Sequence, residues 1–328
     1  MPALATHGTK PPMPLASSTK ADLLMLLVTL LAAISWMFSK EAVMLMPPLL
    51  FIGLRFLLAG GLLALFALPQ LRQLSFEQYT RGLKVGLVFG IAMSCWVTGL
   101  NYASHVGEGA FLTSLGVVFV PVIARLVFAE SQPASTWLAL PVAVCGLALL
   151  SLQHGFRPEP GQIFFVIAAL VFAFYFTLNT HAANAQTVVL RGGSTRERAK
   201  IPVLALTTVA LLSVGCFALL VSLLSEPWQP TFDHFPPALV GWILASALIG
   251  TAGRFLVQTW SQSLSTRNHG VVILVLEPIW VALIAAFWFA ETMNASQLAG
   301  CALIFMALLI NRWTAVRHLL KSLLSASR

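Results

Sequence analysis

Ten stretches of about 17 to 23 mostly apolar residues recur along the chain, and each can cross a hydrocarbon core of roughly 30 Å as a helix rising about 1.5 Å per residue. They fall at approximately 22–39, 48–68, 83–100, 108–128, 137–152, 160–180, 202–224, 238–260, 270–290 and 296–311. Composition agrees: 58% of residues are hydrophobic, only 9% are charged and the mean hydropathy is +0.87, where a soluble domain carries roughly 25% charged residues. No alternation of the kind that closes a β-barrel competes with this reading. The expected fold is an all-α membrane protein with ten transmembrane helices.

Residues 1–21, rich in Pro, Ser and Thr, read as a disordered cytoplasmic tail. They do not read as a cleaved signal peptide, because the first apolar run begins near Leu23 and is long enough to span. The net charge of +8 is explained by topology rather than by nucleic acid. With the N-terminus in the cytoplasm, the inner loops and tails hold Lys10, Lys20, Arg72, Arg81, Lys84, Arg191, Arg196, Arg198, Lys200, Arg267, Arg312, Arg317, Lys321 and Arg328, against Lys40 and Arg157 outside. That bias puts both termini in the cytoplasm, residues 312–328 forming a basic tail and 191–200 a solvated inner loop. The four cysteines, Cys95, Cys145, Cys216 and Cys301, lie apart in separate segments, as packing residues do and disulfide or metal frameworks do not.

Sliding the sequence by 161 residues aligns "SHVGEGAFLTSLGVVFVPVIARLVFAESQPAS" (104–135) with "STRNHGVVILVLEPIWVALIAAFWFAETMNAS" (265–296), with eleven of 32 positions identical. Polar matches such as Glu130 with Glu291 and Ser135 with Ser296 are harder to attribute to shared oiliness. The chain therefore divides into two five-helix halves, 22–152 and 160–311. Five crossings is odd, so the copies enter the membrane from opposite faces. Inverted repeats are the architecture of many secondary transporters, with the substrate site at the interface of the halves.

Polar groups inside a bilayer cost several kcal/mol unless partnered, so those present should face the bundle interior. Glu277 stands about seven residues, or ~10 Å, into the ninth segment, and Pro278 has no N–H to give the carbonyl of Leu274. A structural kink with a satisfied Glu and a direct role at a substrate site both fit. Arg254, Gln258 and Ser261 recur at i, i+4 and i+7 on the eighth segment, and Arg254 lies at nearly the depth of Glu277. The two are expected to pair across adjacent helices. Ser94, Thr98, Asn101 and His105 make a polar stripe on the third segment, and together with Ser35, Trp36, Tyr175 and Asn179 they are expected to line a cavity, although single Ser and Thr side chains also bond their own backbone. Arg55, in the outer part of the second segment, fits either an anchor or a counter-ion for an anionic substrate, while Arg125 is placed to snorkel. Among the tryptophans, Trp36, Trp96, Trp260 and Trp280 are candidates for a cavity wall, whereas Trp137, Trp228, Trp242 and Trp313 suit interfacial belts.

Two stretches resemble EamA-type members of the drug/metabolite transporter superfamily. "PPLLFIGLRFLLAGGLLAL" (47–65) is similar to their second helix, and "QTWSQSLSTRNHGVVILVLEPIWVALIAAFWFAE" (258–291) to their eighth and ninth, with Glu-Pro followed by a second Glu. The resemblance implies an inverted-repeat bundle with a central cavity that moves small metabolites, often outward, across a bacterial inner membrane. Its motif falls on Arg55, Glu277, Pro278 and Glu291. The first half departs from it, with Gly116 and Val117 where the repeat alignment expects Glu and Pro, and "WMFSKEA" replaces the family's usual Trp-Gly in the first segment.

The expectation is thus a secondary transporter exporting a small amphipathic metabolite such as an amino acid, acting as a monomer or homodimer in the lipid bilayer. An importer of a vitamin or organic anion, drawn by Arg55 and Arg254, is the alternative within transport. An intramembrane enzyme is the alternative outside it, but the seven histidines are scattered without ligand spacing and no nucleophile and base converge. No catalytic residue, metal ligand or cofactor is expected, and no phosphate-binding loop supports ATP drive. The substrate cavity or gate is assigned to Glu277, Pro278, Arg254, Gln258, Trp36, Arg55, Trp96, Asn101, Tyr175 and Asn179.

Overall fold

The computed structural model describes residues 15–102, 106–151, 160–189, 195–233, 236–264, 268–288 and 294–311. In chain order the helices are α1 (Leu15–Val43), α2 (Pro48–Leu71), α3 (Phe76–Tyr102), α4 (Val106–Leu126), α5 (Ala134–Ser151), α6 (Pro160–Ala183), α7 (Val203–Ser225), α8 (Gln229–Asp233), α9 (Pro237–Ala245), α10 (Arg254–Ser263), α11 (Glu277–Trp288) and α12 (Ala295–Asn311). A π-helical stretch, Ser246–Gly253, joins α9 to α10 in one continuous rod, and a 3-10 helix, Asn268–Leu276, leads into α11. Among the described residues six helices are long and apolar enough to cross a membrane: α1, α2, α3, α6, α7 and the rod Pro237–Ser263. Four shorter apolar helices, Leu112–Leu126, Ala134–Leu149, Val271–Val281 and Ala295–Asn311, lie where the remaining segments were expected.

Three features depart from expectation. Helix α1 begins at Leu15, inside the stretch read as a tail, because Ala16 to Lys20 carry no helix breaker and the apolar run that follows extends the turn backwards. Helix α3 begins at Phe76 rather than near residue 83, its polar first turns projecting beyond the apolar part. The loop after α6 contains an antiparallel hairpin, β1 (Gln186–Val189) with β2 (Thr195–Arg198), in register Gln186 with Arg198 and Val188 with Arg196; Thr187, Val188 and Val189 are β-branched and favour a strand. The described structure is all-helical apart from this ribbon.

Helix packing relies on small residues, as expected where lipid removes the hydrophobic drive between helices. Helix α2 lies along α7 and α5 along α12, while α6 runs beside both α3 and α4. At the first contact a Cβ on Gly215 would come within 2.7 Å of Leu57 Cγ and 2.8 Å of its backbone nitrogen, and one on Gly60 within 2.9 Å of Leu212. At the second, a Cβ on Gly146 would meet Ile304 N at 2.8 Å and Gly300 O at 2.9 Å.

The two ends of the bundle are tied differently. Glu226, just past α7, accepts hydrogen bonds from the backbone N–H of Leu49 (2.8 Å) and Leu50 (2.9 Å) at the start of α2 and from Ser222 Oγ (2.6 Å). A carboxylate there satisfies orphan donors and meets the positive end of the helix dipole. Glu226→Ala should lower stability by about 1–2 kcal/mol, read as a lower melting temperature in detergent with the fold retained. At the other end of α7, Arg81 donates to Ala199 O (2.8 Å) and His181 O (3.2 Å), Gln78 to Lys200 O (3.0 Å), and Arg198 pairs with Glu77 at 3.3 Å. His181 contacts the carboxylate of Glu130, which follows a left-handed Ala129 (φ 54°) after α4. The Glu130 N–H reaches back six residues to Ala124 O (2.9 Å) and closes that helix end.

Candidate functional site

A cavity of about 90 Å³ sits where α1, α2, α3, α4 and α6 meet α10 and α11. Its charged centre is Glu277. One carboxylate oxygen accepts the indole N–H of Trp36 at 2.8 Å; the other faces Arg254 Nη2 at 3.4 Å. The second distance is long for a charge-assisted hydrogen bond, usually about 2.7–2.9 Å. Arg254 Nε is buried without a hydrogen-bond partner, and the guanidinium lies 4.8 Å from the Phe255 ring centroid. The side chains of Arg254 and Glu277 are 15% and 20% exposed, so the pair is loose and borders open space.

Arg55 forms a second polar centre on the same cavity. It is 2% exposed, and its Nε, Nη1 and Nη2 donate to Thr251 Oγ1 (2.9 Å), Ser39 Oγ (2.7 Å) and Ser35 Oγ (3.2 Å). Local sequence explains the arrangement. Ser35 and Ser39 are one turn apart on α1, and the π-helical stretch lets Thr251 turn its hydroxyl back to Ser246 O (2.9 Å), five residues away. Gly250 permits the close approach, since a Cβ there would lie 2.5 Å from Ser35 Oγ. π-helical turns of this kind are frequent at functional sites.

The remaining wall is aromatic. Trp36 and Trp96 meet edge to face with centroids 4.8 Å apart; Phe89 stacks on Tyr175 at 4.1 Å and meets Phe255 edge-on at 4.8 Å. Tyr175 is anchored from behind, its hydroxyl accepting from Gln258 Nε2 at 3.2 Å. Thr113 lines the cavity with a buried, unpartnered Oγ1. Thr113 and Val117 of α4 border the space together with Leu274 and Pro278, the residues found by adding 161 to each, so corresponding positions of the two repeats face one cavity. Among the described residues no group of three His, Cys, Asp or Glu side chains is arranged to hold a metal ion.

The model of the EamA-like transporter family matches twice, over residues 19–152 and 159–313. The chain belongs to the EamA-like transporter family. It is similar to an uncharacterized transporter of Archaeoglobus fulgidus, 24% identical over 228 residues that cover 68% of this chain and 75% of that protein. It also matches the uncharacterized transporter YvbV of Bacillus subtilis, 30% identical over 143 residues, 40% of this chain and 44% of that one. A solved crystal structure shares the fold with a TM-score of 0.68, covering 92% of this chain and 98% of its own at 17% identity. The protein is a membrane transporter, its helices set in a bilayer and its substrate a small molecule.

In this EamA-like transporter the residues singled out in the sequence divide into three groups. Glu277, Pro278, Arg254, Trp36, Arg55, Trp96 and Tyr175 line the cavity together. Gln258 and Asn179 lie behind that wall, both buried: Gln258 holds Tyr175, and Asn179 donates to Thr259 Oγ1 (3.3 Å) and contacts Gln262. Asn101 does not belong with them. It is exposed near the end of α3, because α3 turns Phe89, Met93 and Trp96 to the cavity and its polar stripe follows another face. His105 and Glu291 lie outside the described residues. Trp260 and Trp280 also leave the wall: Trp260 is 42% exposed beneath Lys20 Nζ (4.6 Å), and Trp280 donates to Thr29 Oγ1 at 3.0 Å. Ser39, Thr113, Thr251 and Phe89 were not anticipated. Ser39 was findable one turn from Ser35; Thr251 was not, because ordinary helical spacing misplaces a residue on a π-helix.

Pro278 acts otherwise than a kink in a running helix. The backbone is 3-10 through Leu276 and becomes α-helical at Glu277, so Pro278 is the second residue of α11, where a missing N–H interrupts nothing. Glu277 then stands in the first turn, where the helix dipole favours a carboxylate.

Proposed function

We propose that the chain is a secondary transporter exporting a small amphipathic metabolite, such as an amino acid or a related compound, across a bacterial inner membrane. The two family domains act as five-helix halves of opposite orientation, making ten crossings with both termini in the cytoplasm, and the unit is a monomer or a homodimer. The observation that carries this reading is the Trp36–Glu277–Arg254 link. It joins α1 of one half to α10 and α11 of the other across the cavity, and its 3.4 Å ion pair is loose enough to exchange for substrate contacts. The packing of α2 on α7 and α5 on α12, each a pairing of equivalent helices, supports two halves that rock about a common axis. The outward direction rests on the family resemblance. An importer of an organic anion draws its support from the two arginines.

The test is an uptake and counterflow screen in proteoliposomes over amino acids, vitamins and aromatic cations, with and without a pH gradient. At least one pool should move saturably above empty liposomes. A folded, oriented protein that moves none of them sinks the proposal.

A further inference from the structure

The charges on the cavity do not balance. Among the described lining residues there are two guanidinium groups, Arg55 and Arg254, and one carboxylate, Glu277. Glu277 is already shared between Arg254 and the Trp36 indole. Arg55, although 2% exposed, has three neutral hydroxyl partners and no carboxylate among the described residues within salt-bridge distance. Its two aromatic neighbours, Phe51 and Phe56, both 5.3 Å from the guanidinium carbon, are weak compensation beside a full negative charge. Hydroxyls relieve the loss of hydration without removing the charge, and an unneutralised cation inside a bilayer costs several kcal/mol.

Two further groups lack partners at the same place. Arg254 Nε and Thr113 Oγ1 are buried and unpaired, and both side chains border the cavity. A ligand that offered acceptor oxygens and one negative charge would satisfy both donors and bring the site to neutrality. A cation would add to the imbalance.

We propose, building on the transport reading above and narrowing it from zwitterionic amino acids to related compounds without the ammonium group, such as 2-hydroxy acids, that the solute carries a carboxylate and binds as a net monoanion. Its carboxylate is set between Arg55 and Arg254 and its apolar part against Trp36, Trp96 and Phe89. Arg55 supplies the counter-charge, held in place by Ser35, Ser39 and Thr251; Arg254 supplies the free donor. Glu277 keeps Arg254 from binding the anion too tightly to release. Cavity volume sets the scale: about 90 Å³ is well below the roughly 300–1,000 Å³ of sites for drug-sized ligands, so the solute is small in this conformation.

Isosteric probes of different charge test the assignment. Lactate and 3-phenyllactate are titrated into the purified transporter beside their amides and the corresponding amino alcohols, which carry charges of minus one, zero and plus one on nearly the same shape. Quenching of tryptophan fluorescence reports occupancy, since Trp36 and Trp96 border the site. At least one acid should bind tenfold or more tightly than its amide, and its amine should bind no better than the amide. Chloride and phosphate should not displace it. Arg55→Gln should remove the preference of acid over amide, and Arg55→Lys should keep part of it, with melting temperature and monodispersity showing both variants folded. If Arg55→Gln fails to fold, Thr113→Val serves as the second variant, weakening the acid severalfold and the amide less, because a hydrogen bond to a charged acceptor is worth more than one to a neutral carbonyl; equal weakening of both would overturn the placement.

The inference is overturned if no acid binds, if amides or amines bind as tightly as acids, if chloride or phosphate displaces the acid, or if folded Arg55→Gln retains the acid preference. Its failure is separable from failure of the transport reading: acids that bind without crossing proteoliposomes would remove transport and leave the anion site, whereas flux confined to amines or neutral solutes would do the reverse.

Discussion

Glu277→Gln should reduce transport at least tenfold while the protein still assembles in the membrane. Glutamine retains an acceptor for the Trp36 indole, so the change isolates the negative charge from the hydrogen bond at 2.8 Å. What it leaves is Arg254 facing the cavity with no carboxylate opposite. Breaking a buried pair by removing one partner costs about 3–5 kcal/mol; the 15% and 20% exposure of these side chains brings the expected loss to the low end. The sign of the cost can be isolated with a second substitution. Arg254→Gln combined with Glu277→Gln removes both charges and should recover much of the melting temperature lost by Glu277→Gln alone, without restoring flux, since the coupling between residues in contact is not additive. A swap, Arg254→Glu with Glu277→Arg, should restore folding more than either single change. Single variants that keep wild-type stability and flux would remove the pair from both fold and mechanism.

Gly215→Leu is expected to prevent formation of a stable, monodisperse protein. A Cβ at that position already lies 2.7 Å from Leu57 Cγ and 2.8 Å from its backbone nitrogen, and a backbone cannot step aside as a side chain end can. Overpacking a tight core costs about 1–3 kcal/mol, occasionally more, and here it forces apart α2 and α7. Gly146→Leu should act alike, because its Cβ would meet the backbone of α12 at 2.8 Å and 2.9 Å. Gly61→Ala and Gly241→Ala are the controls: a Cβ at either position meets nothing within 4 Å, and in a helix Ala is favoured over Gly by about 1 kcal/mol. These two should match or exceed the wild-type melting temperature. Equal behaviour of the crowded and open glycines would mean that the close helix contacts do not hold the bundle together.

The helices were legible because their signal is local. A run of apolar residues of sufficient length reads as a spanning helix whatever its neighbours, and the repeat was visible from 161-residue self-similarity. The contact between Arg254 and Glu277 was legible for a related reason: two opposite charges at similar depth in oil have few alternatives. The failures are instructive in the same terms. The polar stripe from Ser94 to Asn101 obeys helical spacing, yet α3 faces the cavity with Phe89, Met93 and Trp96, since spacing identifies a face without saying what it meets. Thr251 was hidden because the π-helical turn changes the phase of every residue near it, and nothing in "SALIGTAG" announces that turn. From sequence alone Pro278 fits a kink or a direct role at the site; the 3-10 segment before it, which no local signal announces, shifts the start of the α-helix to Glu277. Arg55 was legible as a cavity residue, an anchor or a counter-ion, but its three hydroxyl partners were not, because they come from α1 and from the π-helical turn, distant in sequence.

Alternating exposure of the cavity to the two faces of the membrane is the central claim. Thr113→Cys, in a protein whose four cysteines are replaced by serine or alanine, places one thiol where an unpartnered hydroxyl now borders the cavity. Membrane-impermeant thiol reagents are applied to right-side-out and to inverted vesicles. The account predicts labelling from each face, with substrate changing the two rates in opposite directions as it redistributes the conformations. Labelling from one face only, unchanged by any transported solute, would contradict it.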